Sequence, residues 1–478
     1  MNRIVSMALA AALINLTASP AAFSQDSAPA PVAPANSRAG ADQPSSDELR
    51  KAKAAATKAG LADREGNVPL EEIERYVAVY RAVKQAYVDK ISDQKLMQAA
   101  VRGLLTNLDP HSAYLDKEES RQLDEDSNGA YQGIGVEVMQ LPDRTLRVIS
   151  PIDGTPAARA GVKPGDLIVA IDGKPIDSDN ADSASISLRG PPGSTVKLTV
   201  VREGVNGQVT IFVKRDTIKI QSVTSRLLEP GYGYVRLSEF QTDTAAEMTT
   251  QIDALAKRNH GPLRGLVLDL RSNPGGLLNS AVEAADAFLD SGVIVSTRGR
   301  LDYSNATFNA SPGDVLNGAP IAVLVDGGTA SASEVLTGAL QDHHRAIVVG
   351  SRTFGKGSVQ TVLPLDNGDS IKLTTARYYT PDGASIQARG IRPDVMLKPT
   401  DKSQIDATAA ADAARERDLP GHLASASDAS DGDDEGADSV VFADSYAIGE
   451  GLKALKHPPV SKGAQHTTAT ATSPVTRH

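Results

Sequence analysis

Cysteine and tryptophan are both absent from the 478 residues, aromatic side chains make up 4%, and there are 8 histidines. The lack of cysteine excludes a disulfide scaffold, a thiol nucleophile and Cys-ligated zinc or iron–sulfur sites. The histidines show no ligand-like spacing, so no metal site is expected. A basic excess is missing too. Lys and Arg total 49 against 59 Asp and Glu, a formal net charge of −10, which argues against nucleic acid as a partner. Beyond residue 16 no apolar run approaches the ~20 residues of a membrane helix. What is present, 40% apolar and 23% charged residues, suits a chain that buries a core, and at about 150 residues per unit the length suggests two or three domains.

The N-terminus reads as a delivery signal. Met1-Asn2-Arg3 precedes an Ala-rich apolar run, Ile4 to Leu16, and small residues cluster from Ala18 to Ser24. This is the layout of a secretory signal peptide over residues 1–24, with an uncleaved membrane anchor as the alternative. An exported, periplasmic chain follows, soluble or peripherally attached to a membrane. Residues 25–69, rich in Ala, Pro, Ser and Asp, read as a flexible linker.

Residues 70–128 form an N-terminal helical region. Leu70, Ile73, Val77, Tyr80, Val83 and Tyr87 recur at helical spacing, and a second helix runs from Leu96 to Leu108, stopping at Asp109-Pro110. Their apolar faces need a partner, either the core or a second copy. Over 129–216 the period changes to two, with short strands around Gly133–Val138, Leu146–Ile149, Asp166–Gly173, Val196–Val201 and Val209–Val213, a compact α+β module. From 217 to 400 strands and helices alternate. Gly265–Leu270 and Ile321–Val325 are continuous apolar runs, as strands buried on both faces require. Asn367-Gly368 signals a hairpin. Residues 401–478, with the acidic run Asp431–Glu435, read as a mostly disordered tail. The expected fold is therefore multidomain α+β: N-terminal helices, a small inserted module and an α/β layered core.

Several motifs fail on inspection. Gly350–Gly357 follows a strand and nearly spells a phosphate loop, but Gly357 stands where Ser or Thr must follow the Lys, and a strand pattern comes next. Ser92-Asp93-Gln94-Lys95 and Ser178-Asp179-Asn180 imitate two penicillin-recognising motifs without the third. His343-His344 has no companion ligands. One constellation remains. Val325 to Glu334 carries a buried strand through a Gly-rich turn into a helix, placing Ser331 beside free backbone N–H groups and a helix dipole that favours an oxyanion. The plainer reading makes Ser331 and Glu334 only a capping box. A second Gly-rich turn, Arg271 to Gly276, offers another backbone donor. No histidine sits in a comparable turn, whereas Lys356 does, between Gly355 and Gly357. Burial would have to lower its amine from about 10.4 to about 7–8 for it to act as a base. Gln360 could hold that amine without adding charge. A solvated loop lysine is the alternative.

Taken together, Gly327–Glu334, Gly350–Gln360 and Ala376-Arg377-Tyr378-Tyr379-Thr380-Pro381 resemble the carboxy-terminal processing proteases, also called tail-specific proteases. Leu108–Ser112, Leu237–Phe240 and Leu270–Gly276 are similar to further motifs of that family in the same order, and the likeness spans roughly residues 70–400. The resemblance implies an ATP-independent Ser/Lys-dyad endopeptidase whose core, 217–400, carries an inserted PDZ domain at 129–216. It makes Ser331 the nucleophile, Lys356 the general base and Gln360 the residue that positions it, with the N–H groups of Gly276 and Ala332 as oxyanion hole. Gly133-Ile134-Gly135-Val136 would receive a peptide's terminal carboxylate and pair with the peptide. Arg189 resembles an arginine coupling the PDZ domain to the core, and is otherwise a surface turn residue. No metal or organic cofactor is implied. The expected partners are substrates with apolar C-terminal tails, with a homo-oligomer and an activating adaptor protein as further options. A peptide-binding scaffold with an inert core is the competing reading.

Overall fold

The computed structural model describes residues 68–141, 145–176, 186–398, 415–425 and 442–457. The expected signal peptide and nearly all of the linker lie outside the described residues. Helices α1 (Leu70–Ala86) and α2 (Asp93–Thr106) open the described chain, and the Ser92 hydroxyl caps α2 by accepting the Lys95 N–H. The apolar stripe of α1 forms and is only half covered: Val77, Tyr80 and Val83 are half-buried, Leu70 and Ile73 are exposed, and nothing in the helix is fully buried. Strand β1 (Ala113–Leu115) and helix α3 (Lys117–Asn128) follow. The sequence KEESRQLDEDSN has one strongly apolar residue, so periodicity cannot announce α3. Its signal lies in the reciprocal Asp116/Glu119 capping box, and in Gly129, which ends it at φ +63°.

The small module comprises β2 (Ala130–Gly133), β3 (Val136–Gln140), β4 (Leu146–Pro151), α4 (Pro156–Arg159), β5 (Leu167–Ile171), β6 (Lys174–Pro175), β7 (Thr195–Val201), β8 (Gln208–Lys214) and β9 (Asp216–Lys219). Its sheet runs β3-β4-β5-β7-β8, with β6 beside β5. Alternating residues such as Leu146, Val148, Val196, Leu198 and Val200 point inward to a core of its own. Strands β2 and β9 pair antiparallel, from Ala130 opposite Lys219 to Gly133 opposite Asp216. The chain thus enters and leaves the module through one two-stranded neck, as an insertion should.

The larger domain contains β10 (Val223–Glu229), β11 (Tyr232–Leu237), α5 (Thr244–Arg258), β12 (Gly265–Asp269), α6 (Leu278–Asp286), β13 (Val293–Gly299), β14 (Ala306–Asn309), β15 (Ile321–Val325), α7 (Ala332–Asp342), β16 (Ala346–Gly350), β17 (Ser358–Pro364), β18 (Ser370–Tyr379), β19 (Val395–Met396) and α8 (Asp444–Lys456). Its central sheet has the order β10-β11-β12-β15-β16-β19, parallel except for the edge strand β10. Every residue of β12 and β15 is buried, because helices cover both faces. Met248, Ile252, Ala281, Leu336 and Leu340 of α5, α6 and α7 fill one side. A second sheet, β1-β18-β13-β14 with β17 beside β18, adds Ile294, Val295, Val359, Ala376 and Tyr378 to the same core. The β17–β18 hairpin turns at Asn367-Gly368, with Gly368 at φ +87° and its N–H donated to Leu365 O.

The expectation of a mostly disordered tail fails for two stretches beyond residue 400. Phe442, Ala447, Ile448, Ala454 and Leu455 cover the second face of the central sheet, against Val267 and Leu324. Arg271, paired to Asp269 at 2.6 Å, also reaches Asp444 at 2.9 Å and the Phe442 carbonyl at 3.2 Å. The stretch 415–425 also lies in the fold, with Glu416 fully buried. The tract's polar average conceals one apolar helical face, which is why composition misreads it. Among the described residues no helix is long and apolar enough to cross a membrane.

Candidate active site

Two Gly-rich turns at the C-terminal ends of neighbouring parallel strands, β12 and β15, build the site. The second runs into α7; the first leads through Gly275-Gly276 toward α6. Asp326 stitches them together, its Oδ1 accepting the Ser272 N–H at 2.8 Å and the Gly328 N–H at 2.9 Å. Burial pushes this carboxyl up and those hydrogen bonds oppose it. The Ala330 N–H donates to Asn273 O at 2.9 Å, and Ser333 Oγ donates to the same carbonyl at 3.0 Å. The contact is close enough to require glycine at 275. A Cβ there would stand 2.8 Å from Ala330 O and 2.9 Å from Ser331 Cβ, at φ +106°.

Ser331 sits at the mouth of α7 with φ +56° and ψ −116°, a conformation that non-glycine residues rarely hold unless their surroundings impose it. Its N–H donates to Glu334 Oε2 at 2.8 Å. The hydroxyl is buried at the start of the helix, where Ser331 and Glu334 form a capping box. Tyr378, whose phenol burial pushes up, lies beside it; the Ser331 hydroxyl acts on that phenol in the opposite direction. The N–H groups of Gly276 and Ala332 have no backbone hydrogen-bond acceptor among the described residues.

Lys356 lies on the Ser351–Gly357 loop between β16 and β17 and is 5% exposed. Burial, reinforced by the charge of Lys372, pushes its amine down to about 7, while Glu416, Glu334 and Asp109 act against the shift. Glu334 Oε2, which holds the Ser331 N–H, also accepts the Lys356 N–H at 2.9 Å. Its Oε1 accepts Thr353 Oγ1 at 2.5 Å and the Gly355 N–H at 2.8 Å. Burial nonetheless pushes the Glu334 carboxyl up to about 7. One carboxylate oxygen therefore ties the backbones of Ser331 and Lys356 together. Sequence reading saw in Glu334 a helix cap only; its link to the Lys356 loop has no local signature.

Gln360 is fully buried on β17. Its amide donates to Ser358 Oγ at 3.0 Å and Thr374 Oγ1 at 3.3 Å, and its Oε1 is without a partner, so the expected hydrogen bond to the Lys356 amine is not made in this structure. In the small module Gly133–Val136 curls ahead of β3. Gly135, at φ +73°, has no room for a Cβ, which would lie 2.4 Å from the Thr155 side chain. The Ile134 and Gly135 carbonyls are taken by the Ala157 and Ile152 N–H groups, and among the described strands β3 lies at the sheet edge. Arg189 pairs with Glu125 of α3 and stacks over Tyr131, 5.0 Å from the ring centre. It thus touches the helix that leads into the module and not the turns around Ser331.

Three family models match the chain: peptidase family S41 over residues 231–397, a PDZ domain over 132–213, and the N-terminal domain of the activating protease CtpB over 35–119. A carboxy-terminal-processing protease of Bartonella bacilliformis is 41% identical over 395 residues, which cover 81% of this chain and 88% of that protein. The carboxy-terminal processing protease CtpA of Bacillus subtilis is 34% identical over 348 residues, 72% of this chain and 73% of that protein. Among solved structures, a photosystem II D1 C-terminal processing protease is 32% identical and superposes with a TM-score of 0.40, covering 68% of this chain and 94% of that one.

Proposed function

We propose, for a chain that belongs to the carboxy-terminal processing proteases, serine peptidases of family S41 with a PDZ domain, that peptide bonds are cleaved through a dyad of Ser331 and Lys356. The observation that carries the reading is the state of Lys356: nearly dry, with its amine pushed down to about 7, and bound at its backbone to the same Glu334 oxygen as Ser331. An amine poised near neutrality is neutral often enough to accept a proton and still basic enough to take it. Lys356 removes the Ser331 proton, Ser331 attacks the scissile carbonyl, and the N–H groups of Gly276 and Ala332 receive the oxyanion. The amine then protonates the leaving nitrogen and activates the water that releases the acyl group. Gln360, with an unpartnered Oε1 buried on the next strand, steadies the lysine as it changes charge. No metal or organic cofactor enters these steps. ATP independence is supported by the Gly350–Gly357 stretch, which runs into strand β17 and not into the helix a phosphate loop requires.

Substrate tails with apolar C-termini pair with the edge strand β3 and place their carboxylate at Gly133–Val136. Arg189, tied to Glu125, carries the state of the PDZ domain to α3. The half-covered apolar face of α1, with Leu70 and Ile73 exposed, suits self-association or an activating adaptor, and the signal-like N-terminus suits export to the periplasm. Residues 1–24, 25–69, 70–128, 129–216, 217–400 and 401–478 are the units of this reading. It is tested with a peptide bearing a free apolar C-terminus. Ser331→Ala and Lys356→Ala each abolish turnover while binding persists. Full cleavage by either variant would remove the dyad, and binding without turnover by the unaltered chain would favour a scaffold.

A further inference from the structure

Two buried carboxylates grip the loop that carries Lys356. Glu334 is one. The other is Glu416, fully buried in the 3₁₀ turn Glu416–Asp418 of the C-terminal tract. Its Oε2 lies 2.7 Å from His111 Nε2, and its Oε1 accepts the Gln387 amide at 2.8 Å. Gln387 Oε1 in turn accepts the N–H of Gly357, the residue after Lys356, at 2.9 Å. The Glu416 N–H donates to Phe354 O at 3.2 Å, and the Ala388 N–H to Gly355 O at 2.8 Å. Each residue from Phe354 to Gly357 is thereby held by a backbone hydrogen bond to Glu334, Glu416, Gln387 or Ala388. His111 is itself immobilised, its N–H bound by Asp109 Oδ1 at 2.8 Å. A carboxylate taken wholly out of water persists only where polar partners surround it. Acyl transfer by Ser331 and Lys356 makes no direct use of this one.

We infer that Glu416 is a positioning residue for the reaction proposed above: reaching in from the C-terminal tract, it locks the Lys356 loop to His111 and, through Gln387, to the core, so that the amine is presented only with the segment Arg415–Ser425 docked. The inference rests on the Ser331/Lys356 reading. Its charge acts at the same place. Among the described residues, charges that act on the amine come from Lys372 of β18, Glu334 of α7, Asp109 of the turn before β1, and Glu416; of these, Glu416 opposes the downward shift most strongly, with Glu334 and Asp109 behind it. His111 is the titratable group in contact with Glu416 itself.

The test uses the full chain with peptide turnover measured from pH 5 to pH 9. Glu416→Gln keeps an oxygen for the Gln387 amide, turns an N–H₂ that can donate to His111 Nε2 once that ring carries its proton on Nδ1, and removes the charge. The expected result is an unchanged melting temperature, KM within about twofold, and an acid limb moved to lower pH, because a charge that favoured the protonated amine is gone. Glu416→Ala also releases Gln387, and its kcat is expected to fall about tenfold or more with KM little changed. An acid limb unmoved in Glu416→Gln, or undiminished kcat in Glu416→Ala, overturns the inference; so does loss of folding in both, which would make Glu416 a residue of the fold alone. Cleavage surviving in Ser331→Ala or Lys356→Ala would instead overturn the dyad.

Discussion

Replacing Lys356 by methionine should stabilise the fold, by an amount that depends on pH. The amine titrates near 7 in the folded chain and near 10.5 when exposed. Between those values the unfolded chain binds a proton that the folded chain does not. Stability of the unaltered chain therefore rises with pH across that window, and below it the full penalty for burying an ionisable amine is present. Each pH unit is worth about 1.4 kcal/mol, so the whole window amounts to on the order of 5 kcal/mol. Lys356→Met has no such group. Its stability advantage is fully present below pH 7 and shrinks by on the order of 2 kcal/mol between pH 7 and pH 9. Glu334, pushed up to about 7, is present in both chains and cancels to first order. Urea unfolding followed by circular dichroism measures the difference, with Ser331→Ala in both chains to prevent self-digestion. A difference that stays flat from pH 7 to pH 9 would refute the argument, because it would mean that the amine keeps its ordinary proton affinity and is no base.

Three further outcomes follow from the geometry. Glu334→Gln turns an amide N–H₂ either toward the Ser331 and Lys356 N–H groups or toward the Gly355 N–H and the Thr353 hydroxyl, donors that the carboxylate now accepts; kcat should fall about a hundredfold with substrate binding retained, read from steady-state kinetics beside a binding isotherm. Gly275→Ala places a methyl 2.8 Å from Ala330 O, so the Ser331 turn must shift, and turnover should be lost while the circular dichroism spectrum is kept. Gly135→Val drives a side chain into Thr155, 2.4 Å from where its Cβ would lie, and should weaken binding of a free-tailed peptide; amidating that peptide's terminus should weaken its binding to the unaltered chain by a similar route.

Each of these effects depends on atoms from distant parts of the chain, and that is where reading along the sequence stops. Turn chemistry and apolar runs placed β12, β15 and α7, because a strand covered on both faces must be apolar throughout and a Gly-rich turn must leave it sharply. They did not place α3, which is polar along almost its whole length, or α8, whose apolar face is diluted by the tract around it. The hydrogen bond expected between Gln360 and Lys356 was plausible from four-residue spacing, but in the fold the Gln360 amide turns to Ser358 and Thr374 on its own hairpin.

From its order of residues alone this chain made known where a hydroxyl would begin a helix, where a lysine would stand between two glycines, and which segments would form strands. These are local properties, set by backbone sterics and by the period of apolar side chains. Whether that lysine is dry was decided only by the fold. Lys372, Glu416 and Asp109 come from a hairpin, the C-terminal tract and the turn before the first strand. Desolvation and Coulomb interaction act through space, so the proton affinity of one amine belongs to the packed neighbourhood and not to the loop that carries it.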